Sequence, residues 1–204
     1  MLVVGAGGFA KELIEVFKEA DNLDELVFLD TVSSSVPSFF YGYKILRTLE
    51  QAKDYFDTHG NQFCLGLGNP KLRKNICEEL EGIGGSLSSA ISPSAKIAHF
   101  DVNIDSGCTI LTQAIIANGC KIGKGCLIYH NAQITHDCTI GDYAELSPGA
   151  TILGTAVLGN YVQIGANATV LPNVKVGDHA IVGAGAVVTK DVQRGQTVIG
   201  IPAK

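Results

Sequence analysis

From Ile104 onward an aliphatic residue recurs at every sixth position without interruption. The series consists of Ile104, Ile110, Ile116, Ile122, Ile128, Ile134, Ile140, Leu146, Ile152, Leu158, Ile164, Val170, Val176, Val182 and Val188. Four places after each member stands a short apolar residue, from Cys108 to Val192. A period of six fits neither an α-helix nor a freely alternating strand, so it predicts a chain that turns a corner after every hexad.

Three hexads close one triangular coil, and each strand stacks on its counterpart in the next coil about 4.8 Å away. The aliphatic residues fill the interior and the short ones fit the corners. This predicts a left-handed parallel β-helix over residues 87–204. Ile91 and Ile97 extend the pattern toward the N-terminus, with one extra residue before Ile104. Four cysteines belong to the short series and are expected to have a packing role: Cys108, Cys120, Cys126 and Cys138.

The first part of the chain alternates between apolar runs and helical patterns. Strands are predicted at residues 2–4, 27–30 and 63–67, with helices at 9–20 and from residue 70 to 80. Such alternation is typical of a small Rossmann-like parallel sheet. The glycine-rich residues 82–86 are interpreted as a linker, which gives a domain at 1–86 and a second at 87–204.

A glycine-rich turn follows the first strand and opens the first helix. Gly5, Gly7 and Gly8 would let a phosphate approach a helix N-terminus, and Asp30 after the second strand suits a ribose hydroxyl. Ala10 takes the place of the third glycine of the dinucleotide fingerprint. A domain this small lacks two mononucleotide halves, which favours a single nucleotide over NAD. The alternative is that these glycines only form a tight turn.

Charge and composition exclude several classes of function. The net charge is −5 and no basic cluster occurs, which argues against a nucleic-acid partner. No apolar run is long enough for membrane insertion, and the N-terminus lacks the features of a signal peptide, so a cytoplasmic protein is expected. The sequence contains no C-x2-C pair of the kind that binds zinc, and no metal site is predicted.

One histidine stands outside both apolar series. His136 occupies the third place of its hexad, with Asn118 one coil before it and Gly154 one coil after it. A neutral imidazole can accept a proton from an attacking amine or hydroxyl, and the adjacent Asp137 could orient it. The alternative is a surface histidine without a function. His130 lies on another corner and is expected to support structure or line the substrate cleft, while three others carry no motif: His59, His99 and His179.

The chain resembles the bacterial nucleotide-sugar and sialic-acid acetyltransferases of the hexapeptide-repeat superfamily. The resemblance covers nearly the whole chain and rests on residues 5–12, 66–69, 134–138 and 200–204 together with the hexads. It implies a homotrimeric enzyme that moves an acetyl group from acetyl-CoA to the amino group of a nucleotide-linked sugar, with UDP as the expected nucleotide. O-acetylation of sialic acid or of another sugar hydroxyl is the nearest alternative.

The resemblance also implies roles for particular residues. His136 becomes the general base, assisted by Asp137, and the backbone N–H of Gly154 or a neighbour becomes the donor to the thioester oxygen. The residues expected on the acceptor side are Gly5, Gly7, Gly8, Asp30, Gly68, Asn69, Asn118 and Glu145. Those expected to contact acetyl-CoA are Gly154, Ala166, Lys190 and Pro202. Glu145 departs from the family, where a histidine of a His-x-x-Pro pattern is common, and a carboxylate there could instead orient the acceptor.

Two readings from other classes remain open. A zinc hydratase on the same fold needs three converging histidines, and only His130 and His136 lie in the central repeat. A non-catalytic, nucleotide-binding trimeric scaffold is the other.

Overall fold

A computed structural model describes residues 1–21, 23, 26–32 and 38–204 of the chain. An N-terminal α/β domain comes first. Its elements are β1 (Leu2–Val4), α1 (Gly8–Glu19), β2 (Val27–Leu29), β3 (Phe39–Phe40), β4 (Tyr43–Leu46), α2 (Leu49–His59), β5 (Gln62–Leu65), α3 (Pro70–Gly82) and β6 (Ser86–Leu87). The strands are ordered β3-β4-β2-β1-β5-β6. The predicted strands and helices are therefore present with boundaries shifted by one or two residues.

Two features of this sheet differ from the prediction. The sheet is mixed, because β3 pairs with β4 as an antiparallel hairpin at one edge while the remaining strands are parallel. Residues 82–86 are not a linker, since they close α3 and enter β6, which pairs with β5 in the same sheet. The boundary expected at residue 86 consequently falls inside β6.

The second domain is a left-handed parallel β-helix, as the hexads predict. Its two-residue strands form three faces of a triangular prism. The first face contains β7 (Ala90–Ile91), β10 (Thr109–Ile110), β13 (Leu127–Ile128), β16 (Glu145–Leu146), β19 (Gln163–Ile164), β22 (Ile181–Val182) and β24 (Thr197–Val198). The second contains β8 (Lys96–Ile97), β11 (Ile115–Ile116), β14 (Gln133–Ile134), β17 (Thr151–Ile152), β20 (Thr169–Val170) and β23 (Val187–Val188). The third contains β9 (Asn103–Ile104), β12 (Lys121–Ile122), β15 (Thr139–Ile140), β18 (Val157–Leu158) and β21 (Lys175–Val176).

The interior of the prism consists of the two apolar series. Nearly all members of both are buried in one continuous cluster, with Ile104 packed at its edge. The extra residue before Ile104 is absorbed without loss of register, because Ile97 still pairs with Ile116 and Ile91 with Ile110. All six cysteines of the chain are buried and reduced. The packing role expected for the four cysteines of the repeat is therefore confirmed.

The corners have a second periodicity that the apolar pattern does not reveal. Every sixth residue from Gly107 to Gly185 has a positive φ, between 54° and 76°. This left-handed conformation favours glycine, asparagine and aspartate. The corner backbone thus restricts one residue of each hexad in addition to the two apolar ones.

The N-terminal domain packs against the first face of the prism. The Thr109 hydroxyl donates to the Leu65 carbonyl at 3.3 Å, and Lys124 forms an ion pair with Glu81 of α3 at 2.7 Å. Leu111 is fully buried in the same apolar cluster as α1 and β1. The two domains therefore share a core, and the corner between the second and third faces lies opposite the face that the N-terminal domain covers.

Candidate functional site

His136 lies at the corner between the second and third faces, after β14 and before β15. Its Nδ1 is 2.8 Å from the Asp137 Oδ2, and its carbonyl accepts a hydrogen bond from the Thr155 N–H at 3.0 Å. The imidazole ring lies against Gly154, where an added Cβ would be 2.6 Å from both Cε1 and Nε2. The backbone contact fixes the residue, and the carboxylate orients the ring with Nε2 directed away from it.

Asp137 satisfies two requirements at once. Its φ of 60° places it in the left-handed position of the corner, which an aspartate tolerates well. Its carboxylate also receives the Nδ1–H of His136 when that nitrogen is the protonated one. The corner geometry alone could account for an aspartate here, and the short distance to the imidazole adds a contact that orients the ring.

A cysteine pair lies directly inside this corner. Cys120 and Cys138 occupy equivalent places on adjacent coils, and the Cys138 Sγ is 3.6 Å from the His136 carbonyl oxygen. A hydrogen bond from the Cys138 thiol lowers the pKa of Cys120 to about 7. The same interaction together with burial raises the pKa of Cys138 far above its usual range. Both thiols are buried, so they act through packing and polarity rather than contact with a ligand.

The glycine turn of the N-terminal domain is partly structural and partly open. Gly5 is buried with φ +98°, and a Cβ there would lie 2.8 Å from the Gly66 carbonyl oxygen, so it belongs to the tight turn. Gly7 and Gly8 are exposed, and an added Cβ would meet nothing within 4 Å. Their N–H groups begin α1 without a side-chain cap. The open end of α1 is thus suited to a phosphate.

Asp30 lies at the carboxyl end of β2, beside the glycine turn, and is largely buried. Its Oδ1 accepts from the Val32 N–H at 3.1 Å, and its carbonyl accepts from the Arg47 guanidinium at 3.4 Å. Asp30 therefore shapes the local turn, and a ribose contact would be additional to that role.

Gly68 and Asn69 lie in a loop of residues 66–69 at the carboxyl end of β5, which we call the acceptor loop. Asn69 caps α3, because its Oδ1 accepts from the N–H groups of Lys71 and Leu72 at 3.0 and 3.2 Å. The Gly68 carbonyl accepts a hydrogen bond from Arg73. The loop shares the carboxyl edge of the sheet with Gly7 and Asp30.

Arg73 is a buried residue of this region that the sequence did not single out. It is 1% exposed and reaches from α3 into the prism. Beside it, Glu145 of β16 lies with its Oε2 3.9 Å from the Arg73 Nη1, and its side chain is 18% exposed. Burial raises the pKa of Glu145 and the Arg73 guanidinium opposes that rise. The carboxylate is thus held at the base of the acceptor loop rather than at the His136 corner.

The residues expected to contact acetyl-CoA lie on separate parts of the prism. Gly154 and Lys190 occupy the same corner as His136, one and three coils after it, since β14, β17, β20 and β23 are in register. Ala166 lies on the corner between the first and second faces, and the exposed Pro202 follows β24. Asn118 precedes His136 by one coil, and its Oδ1 accepts from the Phe100 N–H at 3.1 Å. These expected contact residues are therefore spread over two corners and the C-terminal end of the prism.

The two halves of the expected site are also separated within one chain. The glycine turn and the acceptor loop belong to the domain on the first face, whereas His136 occupies the opposite corner. The side chains of His136 and Asp137 are 67% and 62% exposed. These parts of the expected site therefore lie on different sides of one chain.

His130 lies near the N-terminal domain rather than near His136. Its Nε2 is 3.5 Å from the Glu12 Oε2 of α1, and the neighbouring Tyr129 packs on Phe9 with ring centroids 5.3 Å apart. Among the described residues no three metal-binding side chains converge within the chain. In the same part of the chain, no helix combines the length and apolar character needed to cross a membrane.

Two protein families match the chain in separate parts. The PglD N-terminal domain matches residues 1–80, and the bacterial transferase hexapeptide (six repeats) matches residues 119–154 and 155–190. No curated protein matches the sequence.

Several solved structures are similar to the whole chain. The acetyltransferase domain of PglB from Neisseria gonorrhoeae FA1090 is 28% identical with a TM-score of 0.91, covering 100% of this chain and 97% of that one. PerB from Caulobacter crescentus, in complex with CoA and GDP-perosamine, is 26% identical with a TM-score of 0.91, covering 100% and 95%. WeeI from Acinetobacter baumannii AYE is 28% identical with a TM-score of 0.88, covering 100% and 97%.

Proposed function

We propose, because the chain belongs to the bacterial hexapeptide-repeat sugar acetyltransferases, that it transfers an acetyl group from acetyl-CoA to the amino group of a nucleotide-linked sugar. The observation that carries this proposal is the exposed His136 with Asp137 at 2.8 Å and the side-chain-free Gly154 against its ring. Support for the acceptor comes from the perosamine N-acetyltransferase of Caulobacter crescentus, whose structure contains CoA and GDP-perosamine.

In the proposed reaction His136 acts as the general base. The acceptor nitrogen attacks the thioester carbonyl carbon, and Nε2 of His136 accepts the proton that the nitrogen loses. The carbon–sulfur bond then breaks, and the proton passes to the departing CoA sulfur. Asp137 accepts the Nδ1–H hydrogen bond and thereby stabilises the imidazolium that forms between these steps. No covalent intermediate with the protein is needed.

The proposed active unit is a homotrimer with its sites between subunits. The separation of His136 from the glycine turn within one chain supports this, as does the high exposure of a residue that must work in a shielded site. Acetyl-CoA would lie along the cleft between neighbouring prisms. Gly154 and Lys190 would contact it from one subunit, and Ala166 and Pro202 from the corner and C-terminus of the next.

On the acceptor side we propose that the open end of α1 binds the diphosphate. Gly7 and Gly8 offer unobstructed N–H groups, and Asp30 and the acceptor loop lie along the same sheet edge. Uracil is the base we propose, following the resemblance to nucleotide-sugar acetyltransferases. Asn118 and Glu145 would contact the sugar from the prism.

An acceptor panel tests the proposal directly. Purified protein is incubated with acetyl-CoA and UDP-, GDP-, dTDP- or CMP-linked amino sugars, and release of the CoA thiol is followed over time. We expect turnover with one class of amino sugar, and a product that gains one acetyl group by mass spectrometry. Thiol release that no sugar accelerates would leave a non-catalytic scaffold as the better reading.

The product's stability separates amide from ester. An N-acetyl group survives hydroxylamine at neutral pH, whereas an O-acetyl group is cleaved. We expect a hydroxylamine-stable product, and a labile one, or turnover with sialic acid, would replace N-acetylation by O-acetylation.

A further inference from the structure

Arg73 has a set of contacts unlike that of any exposed cation among the described residues. Its Nε donates to the Gly125 carbonyl at 3.1 Å, and its Nη2 donates to the carbonyls of Tyr143 and Ala144 at 2.8 and 3.1 Å. Its Nη1 donates to the Gly68 carbonyl. Four of the five guanidinium N–H groups thus find carbonyl acceptors.

These contacts join α3, which carries Arg73, to the prism and to the acceptor loop through one planar group. Gly125, Tyr143 and Ala144 belong to the prism, whereas Gly68 belongs to the acceptor loop. The remaining N–H of Nη1 faces Glu145, whose Oε2 is 3.9 Å away. A rigid guanidinium fork fixes the relative positions of its acceptors better than a flexible ammonium group can.

A charge is costly to bury, so this arrangement needs a reason. Burial lowers the pKa of Arg73, and the Glu145 carboxylate is the largest influence that raises it. An apolar residue at the same place could fill the volume without that desolvation cost. A guanidinium provides what an apolar side chain cannot, namely a fixed distance between the Gly68 carbonyl and the prism.

We propose that Arg73 is a positioning residue for the acceptor, fixing the acceptor loop to the prism so that the bound sugar keeps one place relative to the catalytic surface. This inference rests on the proposed function, because it assumes that the loop contacts the acceptor. The residue itself is buried and touches no substrate. Its effect therefore belongs to acceptor binding rather than to the chemical step or to acetyl-CoA.

The test compares Arg73→Lys with Lys74→Arg. The first keeps a charge and loses the fork; the second changes the neighbouring residue, which is partly exposed and pairs with Glu78 at 2.9 Å. For Arg73→Lys we expect the acceptor KM to rise roughly tenfold, with kcat and the KM for acetyl-CoA little changed. Lys74→Arg should leave all three constants at the wild-type values.

Hydrogen exchange gives a readout that does not depend on turnover. In Arg73→Lys the amides of residues 66–69 should exchange faster, while those of the corner after Gly154 should not. If Arg73→Lys does not fold, Arg73→Gln keeps two N–H donors without a buried charge. It should likewise raise the acceptor KM and leave the KM for acetyl-CoA little changed.

The outcomes separate this inference from the proposed function. A wild-type protein without sugar acetylation contradicts the proposed function, and loop exchange then still decides whether Arg73 fixes the loop. Wild-type turnover combined with an unchanged acceptor KM and unchanged loop exchange in the folded variants would overturn the role of Arg73. An equal rise in the KM for the acceptor and in the KM for acetyl-CoA would mean that Arg73 has only a general structural role.

Discussion

The imidazole of His136 lies where a side chain on Gly154 of the next coil would be placed. A Cβ on residue 154 would lie 2.6 Å from Cε1 and Nε2 of the ring, closer than any normal van der Waals contact. A side chain at this place would therefore have to displace the imidazole of the neighbouring coil. The His136 side chain and the repeat constrain each other here.

Gly154→Ala should impair catalysis more than folding. The new methyl group must displace the exposed imidazole, so we expect kcat to fall about tenfold or more, since a misplacement of this size disturbs a near-attack geometry. Gly82→Ala is the control, because a Cβ there meets nothing within 4 Å. Steady-state kinetics and thermal melting of both variants make the comparison. Unchanged kcat in Gly154→Ala would show that the ring orientation seen here is not the working one.

His136→Asn should abolish acetyl transfer while leaving assembly and CoA binding intact, because the side chain is exposed and its backbone contact to Thr155 is retained. Removing a general base typically costs about 10²–10⁴-fold in rate. Asp137→Asn should cost less, since the base remains. The assay is thiol release, with calorimetry for CoA affinity and His59→Asn as the control. Wild-type activity in His136→Asn would exclude it as the base.

The sequence predicted the prism and the candidate base for the same physical reason. Interior positions of a coil accept only apolar residues, so a polar residue such as His136 becomes visible by standing outside both series. The left-handed corner positions could also have been read from recurring Gly and Asn, for example at Gly149 and Asn167. The pattern of Gly and Asn at this corner position is incomplete, because Tyr143 and Thr155 occupy it in other hexads, and the apolar series does not include it.

Arg73 and the β3–β4 hairpin could not be predicted in this way. An arginine in a helix of mixed polarity resembles a solvent-facing cation, and its acceptors Gly125, Tyr143 and Ala144 lie 52 to 71 residues further along the chain. Their carbonyl groups leave no trace in side-chain chemistry. The linker prediction failed for a related reason, because the pairing of β6 with β5 is a long-range contact.

Glu145→Gln should stabilise the protein at neutral pH. Burial raises the pKa of Glu145 above 4.5, so the folded chain binds this proton more tightly than the unfolded chain does. Protonated Glu145 therefore stabilises the fold fully below about pH 4, the range of the unfolded carboxyl. This contribution is lost as the pH rises through the raised pKa of the folded chain. Glutamine carries no charge and avoids that loss.

Urea unfolding at about pH 7 and pH 4 measures this difference, with Glu79→Gln at an exposed site as the control for net charge. We expect Glu145→Gln to exceed the wild type in free energy of unfolding at the higher pH and to match it at the lower. Destabilisation at neutral pH would mean that the ion pair with Arg73 outweighs the burial of the carboxylate.

The neighbouring residues Ile115 and Ile116 separate interior packing from surface contact. Ile116 is 1% exposed inside the prism, and Ile115 is 41% exposed on the second face. Ile116→Ala should lower the free energy of unfolding by about 2–5 kcal/mol through the cavity it creates. Ile115→Ala should cost less than about 1 kcal/mol. Denaturant unfolding of both variants at equal protein concentrations measures the two losses. Similar losses in free energy of unfolding would contradict the placement of Ile116 in the interior and Ile115 on the outer surface.

Mixed assemblies test whether the active site is shared between subunits. Gly8→Glu adds a carboxylate at the open end of α1, which should repel a diphosphate, and the added Cβ meets nothing within 4 Å. An acid there also suits the helix N-terminus, so the fold should persist. Gly8→Glu and His136→Asn should each be inactive alone, and light scattering should show trimers for both.

Co-expression of the two variants in equal amounts should restore activity. If the glycine turn of one subunit and the His136 of its neighbour form one site, about a quarter of the sites in randomly mixed trimers combine an intact turn with an intact histidine. If both halves belonged to one chain, every site would carry one lesion and no activity would return. Restored turnover therefore requires a shared site, because neither variant chain carries an intact glycine turn together with an intact His136.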